Sequence, residues 1–385
     1  MGPDPFHELI FLFESRLPYQ NTLNRRYVIQ PVKLHREITS HEPTVHGGPY
    51  SAGALPGLVD FSSNVSPAGP PPSVGRSLKG MMNRVSVYPD PASSSLRARL
   101  ARYAGLRIRQ ITVGGGATAI IHDFCRAFLR GRKTLVVSPT FGEYEAAARL
   151  AGARVSRFEA MEVGAETEKL AGAIPRGGCL FLCNPNNPTG ELLSKEQVGR
   201  LVRAAARRSA LVMVDECFIE LSRKPRESIL DMAGRLSNML VLRSLTKSFG
   251  LAGLRVGYAA GPQGIIDVLE KVRIPWSVSG PAQDMAEAAL SCTSHLVSAR
   301  KMIFKEAGFL RRGISGIDGF ECLDTSANFM LVRTRLRGSA VRDRLIKRGI
   351  LVRDCSSFGM DGHYIRIAVR TRRENKMLVE ALGSI

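Results

Sequence analysis

Apolar and polar positions divide the chain into stretches of different character. Residues 1–45 carry one short apolar run, 9–13, within the segment 6–14. The run is shorter than the core of a secretion signal, and no cation cluster precedes it. It predicts an appended helix or an N-terminal extension without an address. Residues 46–77 are dominated by loop formers: His46-Gly47-Gly48, then Asp60-Phe61-Ser62-Ser63-Asn64-Val65-Ser66-Pro67, then Pro70-Pro71-Pro72. Three successive prolines predict an extended arm and no helix there.

From about residue 78 the pattern alternates. Apolar residues at helical spacing predict helices over 95–103, 118–129, 143–151 and 195–208. Between them, short apolar runs predict strands over 110–113, 134–137, 178–183, 210–214 and 239–242. Strands separated by helices imply an α/β fold, a mostly parallel sheet with helices on both faces, over residues 78–275. Beyond residue 276 the order changes. A long helix over 281–308, strands over 329–332, 350–353 and 364–369, a helix over 339–348 and a C-terminal helix from Arg373 predict a smaller α+β domain, 276–385. There is no internal repeat.

Composition narrows the class. The 385 residues are 44% hydrophobic and 23% charged, a globular balance, and no apolar stretch approaches the ~20 residues of a membrane span. Seven cysteines without a C-x-x-C pair lie mostly within apolar runs. They read as small core residues in a reducing compartment, the cytoplasm. The 54 basic residues exceed the 34 acidic ones by 20, and 42 of them are arginine. Such a surface could hold nucleic acid. With no helix-turn-helix or zinc spacing and only 6% aromatics, neither nucleic acid nor membrane is an expected partner.

In open α/β sheets, ligands bind beyond the carboxyl ends of the strands, and here those ends hold the chemistry. Lys247 follows the strand 239–242 and precedes the glycine-rich, apolar stretch Ser248-Phe249-Gly250-Leu251-Ala252-Gly253-Leu254-Arg255. A lysine is usually a solvated surface residue. One that is desolvated beside a second cation keeps a neutral, nucleophilic amine suited to Schiff-base chemistry. Ser244 and Arg255 could share one phosphate. Gly114-Gly115-Gly116-Ala117-Thr118 joins a strand to a helix, either as an anion cradle or as a tight turn that needs glycine. Asp215 ends a strand, where it could bind Mg²⁺, keep a heteroaromatic nitrogen protonated or cap a turn. Asn184-Pro185-Asn186-Asn187-Pro188-Thr189-Gly190 brings amides to the same edge.

In order and spacing these residues resemble the fold-type I pyridoxal-phosphate enzymes of the class I/II aminotransferase superfamily, over about residues 46–385. The resemblance implies pyridoxal 5'-phosphate as cofactor, bonded to Lys247 through its aldehyde. It implies that Asp215 pairs with the pyridinium nitrogen and Asn187 with the phenolic oxygen. Gly116, Ala117, Thr118, Ser244 and Arg255 would hold the phosphate. Phe141 would stack on the ring in preference to Tyr144, and Arg366 would grip the substrate carboxylate. A homodimer with active sites at the subunit interface follows, Tyr88 reaching the partner's cofactor phosphate. No metal is implied.

Two subfamilies are similar: histidinol-phosphate aminotransferase and threonine-phosphate decarboxylase of cobalamin biosynthesis. Three features favour the decarboxylase: His46-Gly47-Gly48 shortly before Asp60-Phe61-Ser62-Ser63-Asn64, Phe218 where the aminotransferases carry tyrosine, and Arg366-Ile367-Ala368-Val369-Arg370. That resemblance implies decarboxylation of L-threonine O-3-phosphate to (R)-1-aminopropan-2-yl phosphate. His46, Asn64 and Arg370 are candidates for the substrate-phosphate end.

Overall fold

A computed structural model describes residues 36–39, 41–52, 57–78, 81 and 85–385; the apolar run at 9–13 lies outside them. A seven-stranded sheet is built from β2 (Ile111–Gly114), β3 (Lys133–Ser138), β4 (Arg154–Glu159), β5 (Cys179–Cys183), β6 (Leu211–Asp215), β7 (Met239–Ser244) and β8 (Gly257–Ala260). Its spatial order is β2-β8-β7-β6-β5-β3-β4. The pairs β3–β4, β3–β5, β5–β6 and β6–β7 are parallel, whereas β8 runs antiparallel to both β2 and β7.

The central strands are apolar on both faces because helices cover both. In β5, Leu180 and Leu182 face one core, while Cys179, Phe181 and Cys183 face the other. The first core is completed by helices such as Ser94–Ala104 and Lys195–Arg207, through Leu96, Leu100, Val198 and Leu201. The second is completed by Ala117–Phe128, Glu143–Leu150 and Gln263–Val272, through Ile121, Phe124, Ala147 and Ile266. A two-residue side-chain period sandwiched between helices gives this division.

A second sheet has the order β12-β13-β10-β9, all antiparallel, with β9 Phe320–Cys322, β10 Phe329–Thr334, β12 Arg353–Asp354 and β13 Tyr364–Ala368. The arm is stitched to it. β1 (Val59–Asp60) pairs with β11 (Ile350–Leu351), and Phe61 accepts the amide of Ala368 at 2.8 Å. Ser66 N–H donates to the carbonyl of Lys247 at 3.0 Å, so the arm also reaches the large sheet's chemistry.

Two expectations are corrected. The proline run does not keep the arm extended: Pro72 opens a short helix, Pro72–Ser77, where its fixed φ and missing N–H cost nothing at a first turn. The long helix over 281–308 is two helices, Gly280–Leu290 and Ser294–Ser315, broken at Ser291-Cys292-Thr293. β4 and β8 did not stand out in the apolar pattern. Among the described residues no helix is long and apolar enough to cross a membrane.

Candidate active site

The parallel strands end on one side of the sheet, and a cavity of about 500 Å³ opens there. Its wall includes Lys247, Asp215, Asn187, Phe141 and Arg366. β7 ends at Ser244 and the chain returns as β8 with Ser244 opposite Gly257. The connection between them carries Lys247 on the short helix Leu245–Ser248, then Arg255 in a left-handed backbone conformation, φ 52°. Burial first, then the cations Arg366 and Arg255, pull the Lys247 ammonium pKa down to about 8.

Three segments converge beside that lysine. A Cβ on Gly116 would lie 2.6 Å from an Arg255 guanidinium nitrogen, and Gly116 itself sits at φ +87°. A Cβ on Gly257 would lie 2.7 Å from the amide nitrogen of Ala117. Glycine is therefore required at both places for the guanidinium to reach the N-terminus of helix Ala117–Phe128. Ala117, Thr118, Ser244 and Arg255 all line the cavity at that end. So does Thr246, whose buried hydroxyl has no partner among the described residues. Sequence reasoning missed Thr246. Its signal was a hydroxyl residue directly before the lysine. Helix N-terminus, guanidinium and hydroxyls together make an anion cradle.

Asp215 lies on the cavity floor. One carboxylate oxygen accepts the Cys217 amide at 2.8 Å and the other accepts the Tyr144 hydroxyl at 2.7 Å. Burial pushes its pKa up, against the pull of these donors. Tyr144 is thereby committed behind Asp215, stacked on Phe181 at 5.3 Å and 15°. Phe141, only partly buried, meets Tyr144 edge-on and is the ring free to cover a ligand. Of the three asparagines in the 184–190 turn, Asn184 bonds Leu193 and Asn186 bonds Pro139 and Thr140. Asn187 alone of the three reaches the cavity. Its carbonyl oxygen accepts from Arg366, which leaves its amide N–H groups for a ligand.

Arg366 on β13 is buried; besides Asn187 it donates to the Ser62 carbonyl, and its Nε has no partner among the described residues. Burial lowers its pKa to about 10. Directly opposite on β12 stands Arg353, which sequence reasoning passed over as an ordinary strand residue. Arg353 donates to the carbonyls of His46 (2.9 Å) and Val45 (2.6 Å) and to the Ser357 hydroxyl (2.6 Å). Both guanidiniums lie over the Phe358 ring, Arg353 at 5.3 Å and Arg366 at 5.7 Å.

The other predicted residues divide. Asn64 is buried on the cavity wall with an unpartnered side-chain oxygen. His46 lines the mouth, its Nε2 3.0 Å from a Glu143 carboxylate oxygen. Arg370 is not brought to the cavity wall. Its guanidinium bonds Glu374 at 2.6 and 2.9 Å and the Asp60 carbonyl at 3.1 Å. Tyr88 also lies off the wall, exposed and packed against Trp276 at 5.1 Å. Phe218 lines the cavity and meets Phe329 edge-on at 5.0 Å.

A family model, aminotransferase class I and II, matches residues 56–382. Histidinol-phosphate aminotransferase 2 of Archaeoglobus fulgidus is 35% identical over 344 residues, 88% of this chain and 97% of that protein. A provisionally named threonine-phosphate decarboxylase of Caldanaerobacter subterraneus is 33% identical over 331 residues, 84% of this chain and 89% of that one. Among solved structures, the histidinol-phosphate aminotransferase of Clostridium acetobutylicum superposes with a TM-score of 0.78 at 27% identity, covering 85% of this chain and 98% of that one.

The residues present fit pyridoxal phosphate. The cradle at Gly116, Thr246 and Arg255 suits its phosphate, the depressed lysine its aldehyde, and the buried carboxylate of Asp215 a ring nitrogen. Unpartnered atoms of Thr246 and Asn64 point to a polar ligand in this cavity.

Proposed function

The chain belongs to the aminotransferase class I and II family, whose members work with pyridoxal phosphate, and within it we propose that this protein decarboxylates L-threonine O-3-phosphate. The observation that carries this reading is the pairing of Arg353 with Arg366. Cross-strand neighbours lie about 5 Å apart at Cα, and both guanidiniums line one cavity. Two adjacent buried cations suit a short substrate with two anionic groups a few bonds apart, a carboxylate and a phosphate.

Bound here, pyridoxal phosphate supplies an aldehyde for the substrate amine and a conjugated ring that accepts the electron pair left at Cα. Lys247 would bond its aldehyde, Asp215 its ring nitrogen, Asn187 its phenolic oxygen, and Ser244, Thr246, Arg255 and the 116–118 turn its phosphate. Phe141 would cover the ring. Arg366 holds the substrate carboxylate, and Arg353 with His46 and Asn64 holds its phosphate. Phe218 and Phe358 line the same cavity, with Phe329 packed against Phe218, and would keep water from the carboxylate that Arg366 holds. Lys247, as its ammonium, would supply the proton that Cα takes up and be left as the neutral amine. The cofactor and a homodimer with Tyr88 facing the neighbouring site are parts of one reading; a positive protein would also attract a doubly charged substrate.

A second reading, histidinol-phosphate aminotransferase, is favoured by the relative from Archaeoglobus fulgidus at 35% identity; the dicarboxylate glutamate would also satisfy two arginines. One experiment separates them. The holoenzyme is incubated with L-threonine O-3-phosphate and assayed for CO₂, then with histidinol phosphate plus 2-oxoglutarate and assayed for glutamate. CO₂ release supports the proposal; glutamate without CO₂ overturns it.

A further inference from the structure

Glu143 is unusual in being a buried carboxylate shared between two histidines on different elements. His46, from the arm, places Nε2 at 3.0 Å from one oxygen, and His122, on helix Ala117–Phe128, places Nε2 at 3.1 Å from the other. The histidine side chains are 52% and 40% exposed, the carboxylate 9%. Thr44 also bonds this carboxylate, and its methyl lies 2.8 Å from where a Cβ on Gly142 would stand. From the other side Arg353 holds the same arm by the carbonyls of Val45 and His46. Thr44, Val45, His46 and Gly47 all line the cavity. Segment 44–47 is thus a strap fixed at both margins, by Arg353 from the small sheet and by Glu143 from the large one.

We propose that Glu143 is a positioning residue: it fixes segment 44–47 as one wall of the cavity and turns the His46 ring toward the substrate's phosphate. With Nε2 committed to Glu143, Nδ1 is the ring atom left for a ligand. The ring centroid lies 6.0 Å from that of Phe141, so its tilt is set by packing as well. His122 holds the carboxylate from beneath, so that the arm docks onto a prearranged acceptor. Glu143 touches neither cofactor nor substrate in this scheme. Its assignment to the phosphate end rests on the decarboxylase reading.

The test uses the holoenzyme with Glu143→Ala, Glu143→Gln, His46→Ala and the double variant Glu143→Ala/His46→Ala. Backbone hydrogen exchange over 44–48 is followed without substrate, and inorganic phosphate is titrated as the probe of the subsite. Glu143→Ala should speed exchange over 44–48 about tenfold or more and weaken phosphate binding by a similar factor, the scale of a charged hydrogen bond. KM for L-threonine O-3-phosphate should rise with phosphate Kd, while kcat stays within about threefold. Glu143→Gln, which keeps a carbonyl acceptor, should fall between wild type and alanine. In the His46→Ala background, where only the Thr44 contact to the arm remains, Glu143→Ala should add much less to the phosphate effect than it does in the wild type.

Unchanged exchange over 44–48, unchanged phosphate affinity, or an additive double variant would each overturn the proposal. If the wild type released no CO₂ from L-threonine O-3-phosphate, the substrate reading would fail separately. The exchange and phosphate measurements would still decide the role of Glu143.

Discussion

The depressed lysine can be measured without any turnover. Lys247 titrates from about 8 in place of the usual 10.5. At pH 7.5 an amine with a pKa of 8 is roughly 25% neutral, and one at 10.5 only about 0.1%. The difference is more than a hundredfold in reactive amine. In the apoprotein, a brief pulse of labelled acetic anhydride across pH 6–10, followed by mass spectrometry of the Lys247 peptide, should give half-maximal reactivity near pH 8. Exposed lysines such as Lys169 serve as the reference in the same digest. Arg366→Met should move the Lys247 midpoint upward, further than Arg255→Met, because Arg366 is the larger charge contribution. A Lys247 midpoint at 10 or above, or one that ignores Arg366→Met, would refute the account. The same depression has a cost. The folded apoprotein binds fewer protons than the unfolded chain between about pH 8 and 10.5, so its stability rises with pH through that window. Lys247→Met should therefore stabilise the apoprotein below pH 8, by at most about 3 kcal/mol, and the gain should fade as pH climbs.

Three further outcomes are expected. Gly116→Ala places a methyl group against Arg255 and strains a left-handed backbone, so pyridoxal phosphate affinity should fall about tenfold or more; Thr246→Val should weaken it less, and equilibrium dialysis checks both. Arg243 is buried and ion-paired with Glu216 and Glu220 at 2.9 and 3.0 Å, so Arg243→Met should cost about 3–5 kcal/mol of unfolding free energy in urea titrations. Phe218→Tyr adds a hydroxyl donor at the cavity wall, and the pH midpoint of the bound cofactor's visible absorbance should shift downward; an unmoved midpoint rules out contact with the phenolic oxygen.

Part of the candidate site was legible because Asp215 and Ser244 each end a buried strand of the large sheet. β5 and β6 are continuous apolar runs closed by Asn184 and Asp215, and β7 is one as far as Leu242 before Arg243 and Ser244; buried parallel strands read that way. β4 escaped because Arg154-Val155-Ser156-Arg157-Phe158-Glu159 lies at the sheet's edge, where four of its six residues are exposed. β8 escaped because Gly257-Tyr258-Ala259-Ala260 has no β-branched residue to mark it. The helix break at 291–293 has no proline or glycine, so only packing sets it. Arg353 was invisible for another reason. Its importance comes from register with Arg366, and no local pattern states which residue will stand opposite a strand formed 13 positions later. Arg370 has the reverse history: a cation near the right motif, drawn off by Glu374.

The return of the chain from β7 to β8 has a further consequence. Ser244, Thr246, Lys247 and Arg255 all ride on one connection whose two ends are locked opposite each other, Ser244 against Gly257. That connection acts as a gauge that sets the spacing between Lys247 and Arg255, the residues proposed to hold the cofactor's aldehyde and phosphate. An inserted or deleted residue between them would mis-set the gauge even if every side chain were kept. Arg353 and Arg366 sit on a different sheet, with a register of their own. The two halves of the site meet at Arg366, whose charge helps depress the Lys247 amine, so β12 and β13 can be retuned for another anion without disturbing the cassette around Lys247 only while that arginine is kept.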